Sequence, residues 1–407
     1  MNQSFEQKQN QQKAQPPSRT SLWKRLGRVT LFIALIPVYF LILEGIIRLS
    51  PYQPGTSPFI MLFVNQAWLN KDVFTLNMDT FWRFRPHQNL DSFFPVEEEY
   101  SIPINSLGFR ASPEPEAPLE ECYRVMVVGD SCVFGWEAPE GENFPERLLQ
   151  ILEQEYPNRP FHLFQGGVMG YSTYQTRRIL EIYGPEYRPD LVVVYANTND
   201  AWPCVEYPDK EVVNKSMRKY SLQQALEYSE FYCLLRDMLR KTGVVFDPEN
   251  IEISEVRQQA NYHQGPFRVS REDNYENISA MCEFTREELQ ADIILLTRQH
   301  LLRNGILGKR IMGFNDNTRR VAEEKNVPLV DVDLFFSSHP NEKELYFRPE
   351  RDRIHPNTKG YRQIARLVCE KIKSENIIRP AAENIRRTTG EISLTVQEIS
   401  NSSAQLE

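Results

Sequence analysis

Four short segments of this chain combine residue types that could carry out nucleophilic chemistry. The first, residues 129–135, reads Gly-Asp-Ser-Cys-Val-Phe-Gly and follows a run of β-branched residues. A serine at a tight strand-to-helix turn exposes its hydroxyl and lies beside free backbone N–H groups, which a developing oxyanion requires. Taken alone, such a segment also serves as an ordinary turn or helix cap. Ser131 is therefore a candidate nucleophile.

The second segment, residues 352–356, reads Asp-Arg-Ile-His-Pro and precedes the last helical stretch. A histidine can accept the serine proton only if its other ring nitrogen is held in the right tautomer. Asp352, three residues before His355, could hold it from the same loop. The alternative for an isolated Asp-x-x-His is a solvated loop.

The other two segments offer hydrogen-bond donors for a negatively charged intermediate. Residues 195–200 read Tyr-Ala-Asn-Thr-Asn-Asp, and a side-chain amide there could donate to an oxyanion without a change of charge. Residues 166–173 contain glycines, whose backbone N–H groups are unhindered. The alternatives are turn-forming asparagines and a loop that enters a helix.

Strands and helices must position these segments, and the pattern predicts both. Strand-like runs lie at 123–129, 161–164, 191–196, 293–297 and 327–332, and helical stretches at 142–155, 173–183, 315–325 and 357–373. Such alternation predicts a parallel sheet covered by helices on both faces, with sites at the carboxyl ends of the strands. Residues 203–284 interrupt the pattern, and we interpret them as an insertion near those strand ends.

The four segments follow the first three strands and precede the last helix, and this arrangement resembles the SGNH (GDSL) hydrolase family over roughly residues 121–375. The resemblance implies a three-layer α/β/α flavodoxin-like fold with a five-stranded parallel sheet, in a domain placed at 121–379. It also implies roles for the site residues: Ser131 as nucleophile, His355 as base and Asp352 as its orienting acid, with the Ser131 amide, Gly170 and Asn199 forming the oxyanion hole.

Some residues depart from the family pattern. Cys132 stands where the namesake motif has leucine, and Gln165 where many relatives have asparagine. Asn197 replaces the usual glycine two positions before the oxyanion asparagine, and its side chain could crowd or reshape the oxyanion hole. These departures bear on substrate preference more than on activity.

The N-terminal region has the composition of a membrane anchor. Residues 29–43 read VTLFIALIPVYFLIL, and Glu44 and Arg48 would lie at the far interface of a transmembrane helix placed at 29–49. The alternatives are a buried core helix and a signal peptide, although no small-residue cleavage site follows. The segment 105–110, Asn-Ser-Leu-Gly-Phe-Arg, and the anchor together resemble membrane-tethered members of the family.

The residues around this helix predict its orientation. Basic residues precede it at positions 13, 19, 24, 25 and 28, and after Arg48 none follows until Lys71. We therefore expect a disordered cytoplasmic tail at 1–28 and an extracytoplasmic remainder.

Residues 50–120 are interpreted as a stalk and cap whose aromatics Trp68, Phe81, Trp82 and Phe84 pack on the main domain. Residues 380–407 are expected to be a flexible tail.

Composition and missing motifs exclude other function classes. The 407 residues carry a net charge of -8, which argues against nucleic-acid binding. The chain contains no Gly-x-Ser-x-Gly elbow, no phosphate loop and no dinucleotide fingerprint. Its six histidines are scattered without metal-ligand spacing, so we expect no metal and no cofactor.

Three cysteines lie in the predicted insertion and could form a disulfide among them: Cys204, Cys233 and Cys282. Cys132 is expected to be a buried thiol.

The sequence thus predicts an extracytoplasmic serine esterase that acts on a small ester or an O-acylated glycan through an acyl-enzyme. Two alternatives remain open at this level. If a sugar hydroxyl resolves the acyl-enzyme, the protein is an O-acyltransferase. If the site is silent, the domain binds glycan or acts as a scaffold.

Overall fold

The computed structural model describes residues 19–53, 73–91, 100–115, 117–204, 207–215, 222, 225–243 and 267–379. The expected disorder of residues 1–18, the expected flexible tail at 380–407 and Trp68 lie outside the described residues. The chain divides into two compact units. The first comprises Met1–Gly55 and Ala225–Asp247, and the second comprises Thr56–Gln224 and Pro248–Glu407.

The described strands and helices are numbered here in chain order. The strands are β1 Phe74–Asn77, β2 Phe81–Phe84, β3 Asn89–Asp91, β4 Ser101–Pro103, β5 Tyr123–Gly129, β6 Phe161–Gly167, β7 Leu191–Tyr195, β8 Asp292–Leu296 and β9 Leu329–Val330. The α-helices are α1 Arg19–Arg48, α2 Ser131–Phe134, α3 Phe144–Glu155, α4 Thr173–Tyr187, α5 Asp209–Lys215, α6 Glu230–Lys241, α7 Arg271–Glu287, α8 Ile306–Glu324, α9 Val332–Ser338 and α10 Thr358–Ser374.

Helix α1 dominates the first unit and contains the apolar run. Its stretch Thr30–Arg48 has a mean hydropathy of 2.3 and is long enough to cross a membrane. The prediction that residues 19–28 are disordered is wrong, because α1 begins at Arg19. Nucleation is the costly step in helix formation, so a helix set by the apolar run extends readily into the preceding residues.

Helix α6 is bound to α1 within the same unit. The Glu44 carboxylate accepts hydrogen bonds from the Ser229 hydroxyl at 2.8 Å and from the backbone N–H groups of Glu230 and Phe231 at 3.0 Å each. These N–H groups lie at the start of α6, where a helix lacks internal acceptors. Glu44 therefore caps the neighbouring helix, a use that its position in the apolar run did not suggest.

In the second unit, a five-stranded sheet has the order β6-β5-β7-β8-β9 with every adjacent pair parallel. This confirms the predicted α/β class and the five-stranded parallel sheet. Along β5, Met126 and Val128 face one core cluster, and Val125 and Val127 face the other. Helices therefore cover both faces, because strand side chains alternate between the two sides of a sheet.

Each sheet face is covered by its own set of helices. Core residues of α4, α7 and α8 pack on one face, and core residues of α3 and α10 pack on the other. Helix α7 begins inside the stretch 203–284 that was predicted to be an insertion, but it belongs to the core layer. Ile278, Met281 and Cys282 of α7 are buried against the sheet, so the strand-to-helix alternation resumes earlier than the sequence suggested.

Two short hairpins, β1–β2 and β3–β4, precede the sheet in the second unit. Their aromatic side chains are buried, as predicted for Phe81, Trp82 and Phe84. The ring of Phe84 stacks on Phe134 of α2 at 4.8 Å, and the Trp82 indole N–H donates to the Met169 carbonyl at 3.0 Å. The β1–β2 hairpin therefore contacts two of the segments that the sequence singled out.

The cysteines are all described and all carry free thiols. The predicted bridge among Cys204, Cys233 and Cys282 is therefore absent from this structure. Cys282 is fully buried in α7 among core residues, and this burial explains the thiol without a disulfide partner. Cys132 is also fully buried, as predicted.

Candidate active site

Ser131 lies at the carboxyl end of β5, at the first position of α2. The Asp130 carboxylate accepts a hydrogen bond from the Cys132 N–H at 2.9 Å and so caps α2. Ser131 itself is 7% exposed, and its Oγ lies 2.7 Å from Nε2 of His355. The turn therefore holds the serine hydroxyl against the imidazole of a residue more than two hundred positions away.

Glycines make this turn possible by allowing close backbone approach. A side chain on Gly129 would place its Cβ 2.1 Å from the carbonyl oxygen of Tyr195. A Cβ on Gly167 would lie 2.3 Å from the backbone nitrogen of Phe134. Both distances are far below van der Waals contact, so these positions exclude any larger residue.

The Asp352 carboxylate supports His355 from the same loop. Its Oδ2 lies 2.7 Å from Nδ1 of His355, and its Oδ1 accepts hydrogen bonds from the N–H groups of Ile354 and His355, each at 3.1 Å. Burial acts to raise the pKa of Asp352, but the charge of His355 and these hydrogen bonds outweigh it and leave the pKa below its usual value. The carboxylate is therefore ionised at neutral pH.

The imidazole of His355 is also held by an aromatic neighbour. The Trp136 ring stacks on it with centroids 5.2 Å apart and planes 22° apart. The loop that carries Trp136 is fixed by the fully buried Arg110, which donates to the carbonyls of Phe134, Ala138 and Pro139 at 3.2, 3.0 and 2.9 Å. Arg110 is the last residue of the segment 105–110, and the sequence alone did not show that it positions this loop.

Gly170 and Asn199 follow β6 and β7, the two neighbours of β5 in the parallel sheet. The Asn199 side-chain amide donates to the carbonyl of Tyr171 at 3.0 Å, which ties the two loops together. Gly170 has a φ of +79°, a conformation that favours glycine. Both residues therefore follow the carboxyl ends of their strands, at the same end of the sheet as Ser131, and both are buried.

The loop that contains Gly170 is fixed by a buried arginine, Arg268. Arg268 donates to the Gly170 carbonyl at 2.6 Å, and it forms an ion pair with Asp209 at 2.8 Å. Asp209 in turn accepts a hydrogen bond from Ser172 at 2.6 Å. Arg268 and Asp209 belong to the interrupted stretch of the sequence pattern, where no local motif marks them.

The side chain of Asn197, which could crowd or reshape the oxyanion hole, is engaged by two helices. The φ of Asn197 is +106°, in the region that favours glycine. The Asn197 side chain is buried, donates to the Thr318 hydroxyl at 2.7 Å and accepts from Asn274 at 2.9 Å. These bonds compensate the backbone conformation, and they direct the side chain toward α7 and α8.

A pocket of about 990 Å³ opens beside His355. It is lined by His355 and Asp352 and not by Ser131, Gly170 or Asn199, and we therefore call it the base-side pocket. The rest of its lining contains aromatic and aliphatic side chains and a group of arginines. In the described part of the chain, no three His, Cys, Asp or Glu side chains are grouped to hold a metal ion.

Comparison with known proteins places the chain in a family. Residues 127–363, more than half of the chain, match the GDSL-like lipase/acylhydrolase family. No curated protein sequence matches the chain. Solved structures with a similar fold include a lipase/acylhydrolase from Enterococcus faecalis, with 16% identity and a TM-score of 0.39, covering 62% of this chain and 96% of that one.

Two acetyl xylan esterases have comparable similarity. The one from Geobacillus stearothermophilus has 15% identity and a TM-score of 0.39, covering 61% of this chain and 94% of its own. A second has 14% identity and a TM-score of 0.40, covering 61% and 99%. The family match covers most of the sheet and the segments that contain Ser131, Asn199 and His355. The chain therefore belongs to the GDSL-like lipase/acylhydrolase family, and it is a hydrolase of the SGNH type that acts on ester bonds.

Proposed function

We propose that this protein is a membrane-anchored, extracytoplasmic serine esterase in which Ser131, His355 and Asp352 form the catalytic triad. One observation carries the proposal. The hydrogen bonds run without a break from the serine hydroxyl through the imidazole to the carboxylate, with 2.7 Å at each step. This is the geometry that a serine needs to lose its proton as it attacks a carbonyl carbon.

In this mechanism His355 removes the Ser131 proton, and Oγ adds to the ester carbonyl. The oxyanion accepts hydrogen bonds from the backbone N–H groups of Ser131 and Gly170 and from the Asn199 amide, which carries a second N–H besides the one given to Tyr171. His355 then protonates the leaving alcohol, and the acyl-enzyme forms. Water, deprotonated by His355, attacks the acyl carbon and releases the acid.

Two observations support the membrane anchor. The run Thr30–Arg48 is only 6% buried, unlike a core helix, and Leu31, Phe32 and Leu41 are more than half exposed. The basic residues that precede it favour a cytoplasmic N-terminus.

Two experiments test the anchor and its orientation. Carbonate extraction should leave the full chain in the membrane fraction, and protease added outside spheroplasts should degrade the domain. Release of the intact chain into the soluble fraction would contradict the anchor.

The substrate class follows from this location and from the pocket. An outward-facing site meets exported glycans, and O-acetyl groups are their simplest esters. The base-side pocket, at about 990 Å³, lies at the upper end of the range for small-molecule sites and exceeds what a simple acetate ester fills. We therefore propose O-acylated glycans as the substrates, with small esters accepted as surrogates.

The full chain in detergent, assayed on p-nitrophenyl acetate, tests the reaction. Ser131→Ala and His355→Ala should each lower kcat by at least about a thousandfold. Ser374→Ala, at the exposed end of α10, is the matched control and should leave the rate unchanged. If the unaltered protein hydrolyses this ester no faster than the Ser131 variant, the triad proposal fails.

A further inference from the structure

The base-side pocket carries a concentration of positive charge that the ester chemistry does not use. Arg348, Arg351 and Arg353 all line it, and among the described residues Asp352 is the only acidic one of the lining. This is unexpected in a chain whose net charge is -8. The positive charge of this pocket therefore indicates a ligand, because it does not follow from the overall composition of the chain.

A single turn presents these arginines next to the triad. Arg348 has a φ of +50°, and its carbonyl accepts hydrogen bonds from the N–H groups of Arg351 at 2.9 Å and Asp352 at 2.8 Å. The Arg353 carbonyl accepts from the Leu301 N–H at 2.9 Å, which fixes the other end of the turn. The backbone that positions Asp352 for His355 therefore also positions the arginines.

Acidic neighbours of the turn are engaged elsewhere. Glu350 forms an ion pair with Lys343 at 3.2 Å, and Asp352 is bound to His355. Among the described residues, no carboxylate forms an ion pair with Arg351 or Arg353, and both side chains are exposed at the pocket. Guanidinium groups in this situation bind carboxylate and phosphate groups in bidentate fashion.

The position of the pocket indicates which part of a substrate it takes. His355 protonates the leaving alcohol in the proposed reaction, and the pocket lies on the His355 side of the site. The alcohol part of the ester therefore occupies it, while the acyl group lies toward Ser131 and the oxyanion donors. Trp202, Leu302 and Phe347 give the same pocket apolar surface that can pack against a sugar ring.

We propose that the base-side pocket selects esters whose alcohol part is an anionic sugar, bound through Arg351 and Arg353. The proposal rests on the esterase function above and names its substrate class. The reaction is unchanged: the acyl C–O bond breaks, water supplies the hydroxyl of the released acid, and the anionic sugar leaves with its proton restored by His355. The anion of the sugar is a carboxylate or a phosphate.

Matched acetate esters provide the test on the full chain in detergent. The compounds are O-acetylated methyl glucuronide, O-acetylated glucose 6-phosphate and neutral O-acetylated methyl glucoside, and the measured quantity is the ratio of kcat/KM for each anionic ester to that for the neutral one. The ratio should exceed about ten, because a charge-assisted hydrogen bond contributes about 1.5–3 kcal/mol. It should fall as salt is raised. The larger of the two ratios identifies the carboxylate or the phosphate.

Substitutions then locate the selectivity. Arg351→Gln with Arg353→Gln should bring the ratio close to one, whereas Arg366→Gln, on the exposed face of α10, should keep the ratio of the unaltered protein. A ratio near one for the unaltered protein, or one that the double variant retains, would overturn the proposal while hydrolysis of the neutral ester leaves the esterase function standing.

A binding measurement separates the two proposals completely. The Ser131→Ala protein cannot form an acyl-enzyme, so calorimetric titration with the three esters reports recognition alone. We expect the anionic esters to bind at least about tenfold more tightly than the neutral one. Equal Kd values would reject the anionic substrate class even if no ester is hydrolysed.

Discussion

The guanidinium group of Arg298 lies 3.4 Å from the carboxylate of Asp130, the residue before Ser131, and both side chains are completely buried. The Arg298 Nε also donates to the Thr198 hydroxyl at 2.8 Å, next to Asn199. Its guanidinium lies over the Tyr195 ring at 4.4 Å. One arginine thus links the loop that carries Ser131, the proposed nucleophile, to the loop that carries the proposed oxyanion amide.

Removing this arginine should destabilise the protein more than most substitutions. Arg298→Leu leaves Asp130 buried without its counter-charge, and breaking a buried pair in this way costs about 3–5 kcal/mol. Urea unfolding should therefore show a lower midpoint. Arg320→Gln, at an exposed pair with Glu324, is the control and should change the stability by less than about 1 kcal/mol. The double variant Arg298→Leu with Asp130→Asn should recover part of the loss, and a double variant less stable than Arg298→Leu would contradict the argument.

Asp352→Asn should reduce kcat by about 10³–10⁴-fold while the protein stays folded. The amide keeps the shape of the side chain but removes the negative charge that stabilises the protonated imidazole, and it can hold the wrong tautomer. Steady-state kinetics and a thermal melt check the two parts of this prediction. Activity retained within tenfold would mean that His355 does not depend on Asp352.

Asn199→Ala should lower kcat by about 10²–10³-fold and change KM little, because an oxyanion donor acts in the transition state and not in the ground state. The lost hydrogen bond to Tyr171 also reduces the stability modestly, and a melting curve measures that separately. A change confined to KM would assign Asn199 to substrate binding instead.

Stability should depend on pH through Asp200, which is fully buried beside Asn199. Burial raises the pKa of Asp200 to about 7, although hydrogen bonds from Thr173 and Asn274 act in the opposite direction. Between about pH 4 and pH 7 the folded state keeps a proton that the unfolded chain loses. The stabilisation from this group is therefore complete below about pH 4 and declines as pH rises to about 7.

The variant Asp200→Asn removes this titration. Its free energy of unfolding, measured in urea at intervals from pH 4 to pH 8, should change less steeply with pH than that of the unaltered protein. Asp316→Asn, at a largely exposed carboxylate, serves as the control and should follow the unaltered protein. Identical slopes for all three proteins would show that Asp200 ionises normally.

Thiol labelling should distinguish free cysteines from bridges. Burial raises the pKa of the Cys132 and Cys282 thiols to about 12, and the thiolate is the form that reacts. Iodoacetamide should therefore leave both residues unmodified in the folded protein at pH 8. After denaturation without reductant, the intact mass should rise by six modifications. A smaller number would reveal a disulfide.

The sequence by itself determined the sheet and the candidate residues because both depend on local pattern. β-Branched runs that alternate with helical periodicity predict a parallel sheet. The segments around Ser131 and Asn199 directly follow strands, and the segment around His355 precedes the last helix. Local pattern also marked the apolar run of α1. It failed at residues 19–28, where the continuation of a helix depends on the neighbouring run.

Only the tertiary structure decided what supports and surrounds the site. Three buried arginines hold loops that lie elsewhere in the sequence: Arg110, Arg268 and Arg298. Their importance comes from this burial, which no local motif indicates. Likewise the conformation of Asn197 and the pocket charge of Arg351 and Arg353 follow from where the folded chain places them. Contacts between distant segments set burial, charge balance and access, and these physical quantities exist only once the chain has folded.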